Sequence, residues 1–258
     1  MTAPRHILSL SGGKDSSALA VYMRGKVDGM EYVFCDTGKE LPETYEYLAK
    51  LEAYLGQPIV RLNPERGFDH WLEVYGGYLP SGRSRWCTRV LKLKPFEQYV
   101  GDDPVVSYVG IRGDEDRTGY VSTKPNIRAV FPFKEAGLGH ADILRLLEEA
   151  GLGLPKYYEW RSRSGCYFCF FQRKVEWAGL LEHHPDLFEA SQTYEKQDPE
   201  TGKRFTWSER ESLAELARPE RLVQIRATSK GVGKDKGGER LADLLDDDDD
   251  QACGICSI

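Results

Sequence analysis

The chain has 258 residues and a mass of 29.3 kDa, room for one domain of ordinary size with an appendage and a substantial buried core. Its formal charge of −6 resides in six aspartates, Asp243 and Asp246 to Asp250, so the rest is balanced and neither announces nor forbids an anionic partner. No segment approaches the roughly 18 to 20 apolar residues of a membrane span, and Met1 to Leu10 lacks a secretory signal's long apolar stretch, so no membrane contact and a cytoplasmic protein are expected. In that setting six cysteines argue against a disulfide scaffold and for metal binding or catalysis.

In chain order, His6 to Leu10 reads as a short buried strand, followed by Ser11-Gly12-Gly13-Lys14-Asp15-Ser16-Ser17 and a helical run from Ala18 to Met23. Tyr32 to Cys35 predicts a second strand ending at Asp36-Thr37-Gly38. Pro42 to Leu55 has the period and the N-terminal proline of a helix. Ile59 to Leu62 predicts a third strand, with helices near Phe68 to Tyr75 and Leu91 to Val100 and strands at Val105 to Val109 and Ile127 to Phe131. This alternation predicts an α/β fold, a mostly parallel twisted sheet with helices on both faces. Beyond Pro132 the texture changes to a mainly helical C-terminal appendage, with helices at Ala141 to Ala150, Val175 to His183, Pro185 to Gln197 and Ser208 to Ala217. The division expected is a nucleotide-binding domain over 1–135, a helical cysteine-containing domain over 136–227, and a flexible acidic tail over 228–258 that ends in a CxxC.

A glycine-rich turn between a strand and a helix lets backbone N–H groups converge on a phosphate, with the partial positive charge of the helix N-terminus behind them. Ser11 to Ser17 has that construction. Lys14 suits phosphate oxygens, Ser11 and Ser16 offer hydroxyls, and Asp15 is a carboxylate for Mg²⁺ or for positioning a partner. The spacing is not the Walker pattern, so hydrolysis of the γ phosphate is not the expected reaction. Asp36, at the C-terminal edge of a strand, stands where a ligand-facing carboxylate belongs in an open α/β sheet. Arg112 and Arg117 flank a loop after the Val105 strand. They suit the charge of a reacting phosphate, or they form surface salt bridges with Asp114, Glu115 and Asp116, acids that could also recruit Mg²⁺.

The loop matches the PP-loop signature S-G-G-x-D-S, and the sequence resembles the ATP-pyrophosphatase superfamily, whose members cut ATP between the α and β phosphates. Three further segments resemble the phosphoadenylylsulfate (PAPS) reductase branch: Cys35-Asp36-Thr37-Gly38 with Leu41-Pro42-Glu43-Thr44-Tyr45; Trp86-Cys87-Thr88 with Lys92, Lys94 and Pro95; and Gly110-Ile111-Arg112 with Glu115 and Arg117. Together they cover residues 7 to 169. The resemblance implies an adenine nucleotide alpha hydrolase-like fold that takes ATP and Mg²⁺. Ser11, Gly12, Gly13, Lys14, Asp15, Ser16, Asp36, Thr37 and Gly110 would line the nucleotide, with Lys14, Asp15, Arg112 and Arg117 in catalysis.

Cys166 and Cys169 form one CxxC, and Cys253 and Cys256 form another. Two such pairs suggest structural zinc. The resemblance points instead to an iron–sulfur cluster on Cys87, Cys166 and Cys169, because iron–sulfur members of the branch take ligands from the corresponding segments. Those relatives have adjacent cysteines where this chain has Cys87-Thr88, so a fourth ligand would come from the tail pair or one iron would stay open. Cys35 reads as a buried strand residue. Arg161, Arg163 and Arg173 interleave with aromatic residues around Cys166 and Cys169, and Arg83, Arg85 and Arg89 lie near Cys87. Such a mixture stacks bases and holds phosphates, or packs around a cluster with arginines at its rim.

The whole pattern is most similar to PP-loop proteins of DNA phosphorothioate modification. That likeness implies ATP-driven activation of a nucleic-acid backbone, with DNA the expected acceptor, sulfur from a cysteine desulfurase or other sulfur donor, and partner subunits of a modification system. The alternatives are a PAPS or adenylylsulfate reductase, a tRNA thiolation enzyme, and a non-catalytic subunit that senses ATP.

Overall fold

The structure, a computed structural model, describes residues 3–116, 124–208 and 211–228. Its centre is a five-stranded, wholly parallel sheet. β1 (Arg5–Leu10) leads into α1 (Lys14–Met23), β2 (Met30–Cys35) into α2 (Pro42–Leu55), and β3 (Ile59–Leu62) into α3 (Phe68–Val74). A continuous helical stretch follows: α4 (Trp86–Thr88), a π-helical segment (Arg89–Leu93) and α5 (Lys94–Val100). Then come β4 (Val105–Tyr108), β5 (Ile127–Val130), α6 (Pro132–Glu135) and α7 (His140–Glu149). Strand order is β3-β2-β1-β4-β5, so the chain winds outward from β1 on one side and then returns to add β4 and β5 on the other.

Both faces of this sheet are covered, which is why its strands read as nearly continuous apolar runs. Leu8, Leu10, Tyr32, Phe34, Val106 and Tyr108 pack under α1, α2 and α7. Ile7, Val33, Cys35, Val105 and Ile127 face Phe96 and Val100 of α5. The expected α/β layering is therefore present. α2 runs over the residues read from the sequence, opened by Pro42 and closed by Gly56 in the left-handed conformation, φ 70°. α7, which the sequence reading placed in the appendage beginning at 136, buries Ile143 and Leu147 in the core of the sheet layer.

The C-terminal region comprises a 3₁₀ turn (Lys156–Glu159), α8 (Lys174–His183), α9 (Pro185–Gln192), a hairpin of β6 (Lys196–Gln197) and β7 (Arg204–Phe205), α10 (Leu213–Leu216) and α11 (Pro219–Thr228). Three boundaries differ from expectation. The helix expected over Pro185 to Gln197 stops at Gln192, because Lys196 and Gln197 pair with β7. The helix expected over Ser208 to Ala217 is a single turn, started where Ser212 Oγ accepts from the Glu215 N–H and Glu215 returns the bond. α11 was not anticipated; Ile225 is its one buried residue, so its apolar period is faint.

This region shares a core with the segments before α5. Phe68, Trp86, Phe168, Trp177, Phe188 and Trp207 form an aromatic cluster, with Phe68 and Phe168 ring centroids 4.4 Å apart and Phe168 stacked on Trp207 at 5.1 Å. Each such ring removes on the order of 150–250 Å² from water, so this cluster ties the appendage to the sheet layer. The acidic tail and Cys253 and Cys256 lie outside the described residues.

Candidate functional site

The sheet topology places the site. Connections diverge from β1 toward β2 on one side and β4 on the other, and in open α/β sheets the crevice beyond such a divergence is where ligands bind. Ser11 to Gly13 leave β1 there, and Gly110 to Arg112 leave β4 beside them. α1 starts at Lys14 rather than at Ala18, so Lys14, Asp15 and Ser16 form its first turn and the loop's amides join a helix N-terminus.

The loop's shape depends on its glycines. Gly12 has φ +71°, and a Cβ on it would stand 2.5 Å from Thr44 Cγ2 of α2. A Cβ on Gly13 would stand 2.7 Å from Ser164 Oγ, and one on Gly110 would meet the Asp15 carbonyl at 3.1 Å. Ser16 Oγ accepts from the Ser11 N–H at 3.1 Å and lies 3.0 Å from Ser11 Oγ, folding the turn back on itself. Loop residues are also held from the C-terminal region: Tyr157 Oη donates to the Gly12 carbonyl at 2.8 Å, Tyr158 Oη accepts from the Lys14 N–H at 3.1 Å, and Ser164 Oγ donates to Ser11 Oγ at 3.1 Å. Sequence reasoning missed all three partners. Their signal, the aromatic residues just before the CxxC, was read either as base stacking or as packing around a cluster.

Charged side chains converge at the same place. Asp15 lies 3.5 Å from Lys14 Nζ and 3.0 Å from Arg112 Nη1, and Arg112 also pairs with Asp114 at 2.8 Å and Glu115 at 2.7 Å. Arg112 thus makes the salt bridges expected with its loop neighbours and also faces Asp15. Although burial opposes it, the charges of Asp15, Asp114 and Glu115 push the Arg112 pKa up, so the guanidinium stays charged. Arg117 lies outside the described residues.

Asp36 directly follows β2, and its Oδ1 accepts from the Gly38 N–H and from Tyr45 Oη, each at 2.8 Å. Thr37, buried next to it, donates from Oγ1 to Glu40 Oε1 at 2.9 Å and lies 3.3 Å from Cys166 Sγ. Glu40 is itself buried, and its Oε2 meets no hydrogen-bond partner among the described residues.

The thiols do not assemble as expected. Cys166 and Cys169 share one turn, the Cys169 N–H donating to the Cys166 carbonyl at 3.0 Å. Cys87 is half-buried in α4. Among the described residues no group of three or more His, Cys, Asp or Glu side chains stands at metal-holding spacing. Cys166 turns to Thr37 and Glu40, and burial, with Glu40's charge, pushes its thiol pKa well up. As placed, these donors do not fit a three-thiolate cluster.

Arg161 is corrected too. It is wholly buried, donating to the carbonyls of Gly165 at 3.1 Å and Cys166 at 2.9 Å, so it fixes the CxxC turn and cannot meet a phosphate. Glu176 neutralises this interior: burial pushes its carboxyl up, but hydrogen bonds from Ser162 and the charges of Arg173 and Arg161 hold it below the ordinary range.

The phosphoadenosine phosphosulfate reductase domain model matches residues 5–159. Two uncharacterized proteins of Methanocaldococcus jannaschii are similar, one 30% identical over 197 residues (71% of this chain, 40% of its own length), the other 27% identical over 191 residues (70% and 45%). The chain therefore spans less than half the length of these relatives. The structure of phosphoadenylyl-sulfate (PAPS) reductase from Candida auris, in a phosphate complex, has a TM-score of 0.50 at 16% identity, covering 64% of this chain and 82% of that one, a likeness of fold. Among the described residues no helix is long and apolar enough to cross a membrane.

Proposed function

This chain belongs to the phosphoadenosine phosphosulfate reductase domain family, and we propose that it is an ATP pyrophosphatase that activates a nucleic-acid backbone, DNA, for sulfur incorporation. The observation that carries the reading is the Ser11–Ser16 loop at the divergence of β1 and β4, with Lys14, Asp15 and Arg112 meeting on one side of it. Loop amides and the α1 N-terminus bind the pyrophosphate part of ATP. Lys14 and Arg112 stabilise charge that grows on the leaving pyrophosphate, and Asp15 holds both cations at the loop. A phosphate oxygen of the acceptor attacks the α phosphorus, the bond to the β-phosphate oxygen breaks, and pyrophosphate leaves. Sulfur carried as the persulfide of a cysteine desulfurase attacks the activated acceptor phosphorus, the bond from that phosphorus to the AMP oxygen breaks and AMP leaves, and a thiol reductant then cleaves the S–S bond to free the phosphorothioate. Asp15, the loop carboxylate, would hold Mg²⁺ together with the phosphates, and the ion would neutralise their charge.

An iron–sulfur cluster or zinc on Cys87, Cys166 and Cys169 requires Cys166 turned away from Glu40 and Cys87 brought to it. Iron with acid-labile sulfide in anaerobically purified protein measures whether that rearrangement occurs, and stoichiometric zinc without iron would favour a structural site. The reaction itself is tested by its products: AMP and pyrophosphate from ATP and Mg²⁺ support the proposal, and ADP with phosphate refutes it. A sulfonucleotide reductase is the second reading, favoured by the family match itself. Release of sulfite from adenylylsulfate or PAPS, without pyrophosphate release from ATP, would make it the better one.

A further inference from the structure

Arg85 and Arg163 come from separate segments and converge on one ring. Their guanidinium carbons lie 4.9 Å and 4.8 Å from the centroid of Phe171. Arg163 Nη2 also donates to the Phe171 carbonyl, and Arg85 Nε donates to the Gly82 carbonyl at 3.4 Å. Among the described residues neither pairs with a carboxylate, whereas Arg112, Arg173, Arg221 and Arg226 each do. Two cations set on one ring, with no carboxylate partner among the described residues, leave positive charge at this place for an anion to neutralise.

The surroundings say which anion. Phe170 packs against Phe171 with its ring tilted, centroids 4.3 Å apart, and stays partly exposed. Arg83 is exposed on a turn closed by the Ser81–Ser84 bridge. Cations that follow a phosphate chain, with an accessible ring for a base, are the usual equipment for a nucleic-acid strand. The location fits as well. Arg163 precedes Ser164, which donates to Ser11 of the nucleotide loop, and Arg85 caps the helix that holds Cys87.

We propose that Arg85 and Arg163, set on Phe171, seat the phosphodiester backbone of the acceptor strand, with Phe170 offering its face to a base. This deepens the proposed function and rests on its nucleic-acid acceptor. The test is fluorescence anisotropy of the full chain with a short labelled DNA strand, its duplex and an RNA strand of the same sequence, at several salt concentrations. For Arg85→Gln and Arg163→Gln, affinity for the bound strand falls several-fold, and the slope of log K against log salt shrinks by about 0.7 to 0.9 per arginine lost. Phe170→Ala weakens the single strand with little change in slope. If the wild type binds and both arginine variants keep its affinity and slope, the subsite is wrong and the nucleic-acid reading stands. If the wild type binds none of the three probes at low salt, the nucleic-acid acceptor fails and takes the subsite with it. Binding of RNA without DNA, lost in the arginine variants, supports the subsite and moves the acceptor to RNA. Arg85 lies outside the aromatic core, so its variant remains informative if Arg163→Gln fails to fold.

Discussion

Replacing Gly12 by alanine tests the geometry of the loop in two separable parts. At φ +71° an L-residue costs roughly 1 to 2 kcal/mol, and the new Cβ, 2.5 Å from Thr44 Cγ2, adds an overpacking cost of about 1 to 3 kcal/mol. Together they predict a loss of about 2 to 5 kcal/mol. At about 2 to 4 °C per kcal/mol for a chain of this size, the melting temperature falls by about 4 to 20 °C in a thermal scan. Thr44→Ser removes the methyl group that the Cβ would strike and leaves the backbone strain untouched. The double variant should therefore recover about 1 to 3 kcal/mol relative to Gly12→Ala and stay below wild type. A loss under about 0.5 kcal/mol in Gly12→Ala, or no recovery in the double variant, would refute the contact between the loop and α2.

Lys14→Ala and Arg112→Ala should each lower kcat/KM for pyrophosphate release by at least about 2 kcal/mol, roughly 30-fold, and their effects should be non-additive because both cations meet Asp15; unchanged steady-state kinetics in both would reject their roles. Tyr158→Phe removes the acceptor of the Lys14 N–H and should cost about 1 kcal/mol in stability without weakening ATP, since phosphate competes with the phenol for that N–H; a tenfold loss of ATP affinity by calorimetry would instead make the phenol a ligand. Glu211 is held down to about 2 by hydrogen bonds from Arg221 and Lys174, below its ordinary 4.5, so its stabilisation is present above about pH 4.5 and is lost as pH falls toward 2. Glu211→Gln should remove about 1 to 3 kcal/mol at neutral pH and flatten the acid limb of the stability curve between those values, and urea titrations that show an unaltered limb would exclude this pair as its cause.

What the sequence disclosed depended on how local the cause was. The strand and helix sequence through Leu62 follows from runs of apolar residues and from Pro42 and Gly56, signals that sit within the elements they delimit. Ser11 to Ser16 was readable as a tight turn between β1 and α1 because its glycines and hydroxyls are consecutive. The start of α1 was misplaced by four residues, since a helix N-terminus inside a glycine loop has no capping side chain to announce it. Long-range partners carried no such signal. Thr44 belonged to a recognisable segment, yet nothing local says that its methyl group closes on Gly12. Arg161 looked like its neighbours Arg163 and Arg173, and only the fold separates an arginine sealed against Gly165 and Cys166 from one resting on the Phe171 ring. The thiols illustrate the same limit, because CxxC spacing sets Cys166 and Cys169 in one turn but cannot say which way Cys166 faces.

That direction gives the site its connectedness. Tyr157, Tyr158 and Ser164 hold Gly12, Lys14 and Ser11, and the same segment runs through Gly165, at φ +139°, into Cys166, whose thiol meets Thr37 at the end of β2. Arg161 locks the carbonyls of Gly165 and Cys166, so this segment is stiff between the loop and the thiol. A nucleotide phosphate that claims the Lys14 N–H must release Tyr158 Oη, and Ser164, packed on Gly13, is the next residue in its way. Ligands shift a conformation only through contacts that differ between its states, and these contacts differ by construction with the loop free or filled. The loop and Cys166 are therefore joined through one stretch of about ten residues, 157–166, which the proposed order of acceptor activation before sulfur delivery would use.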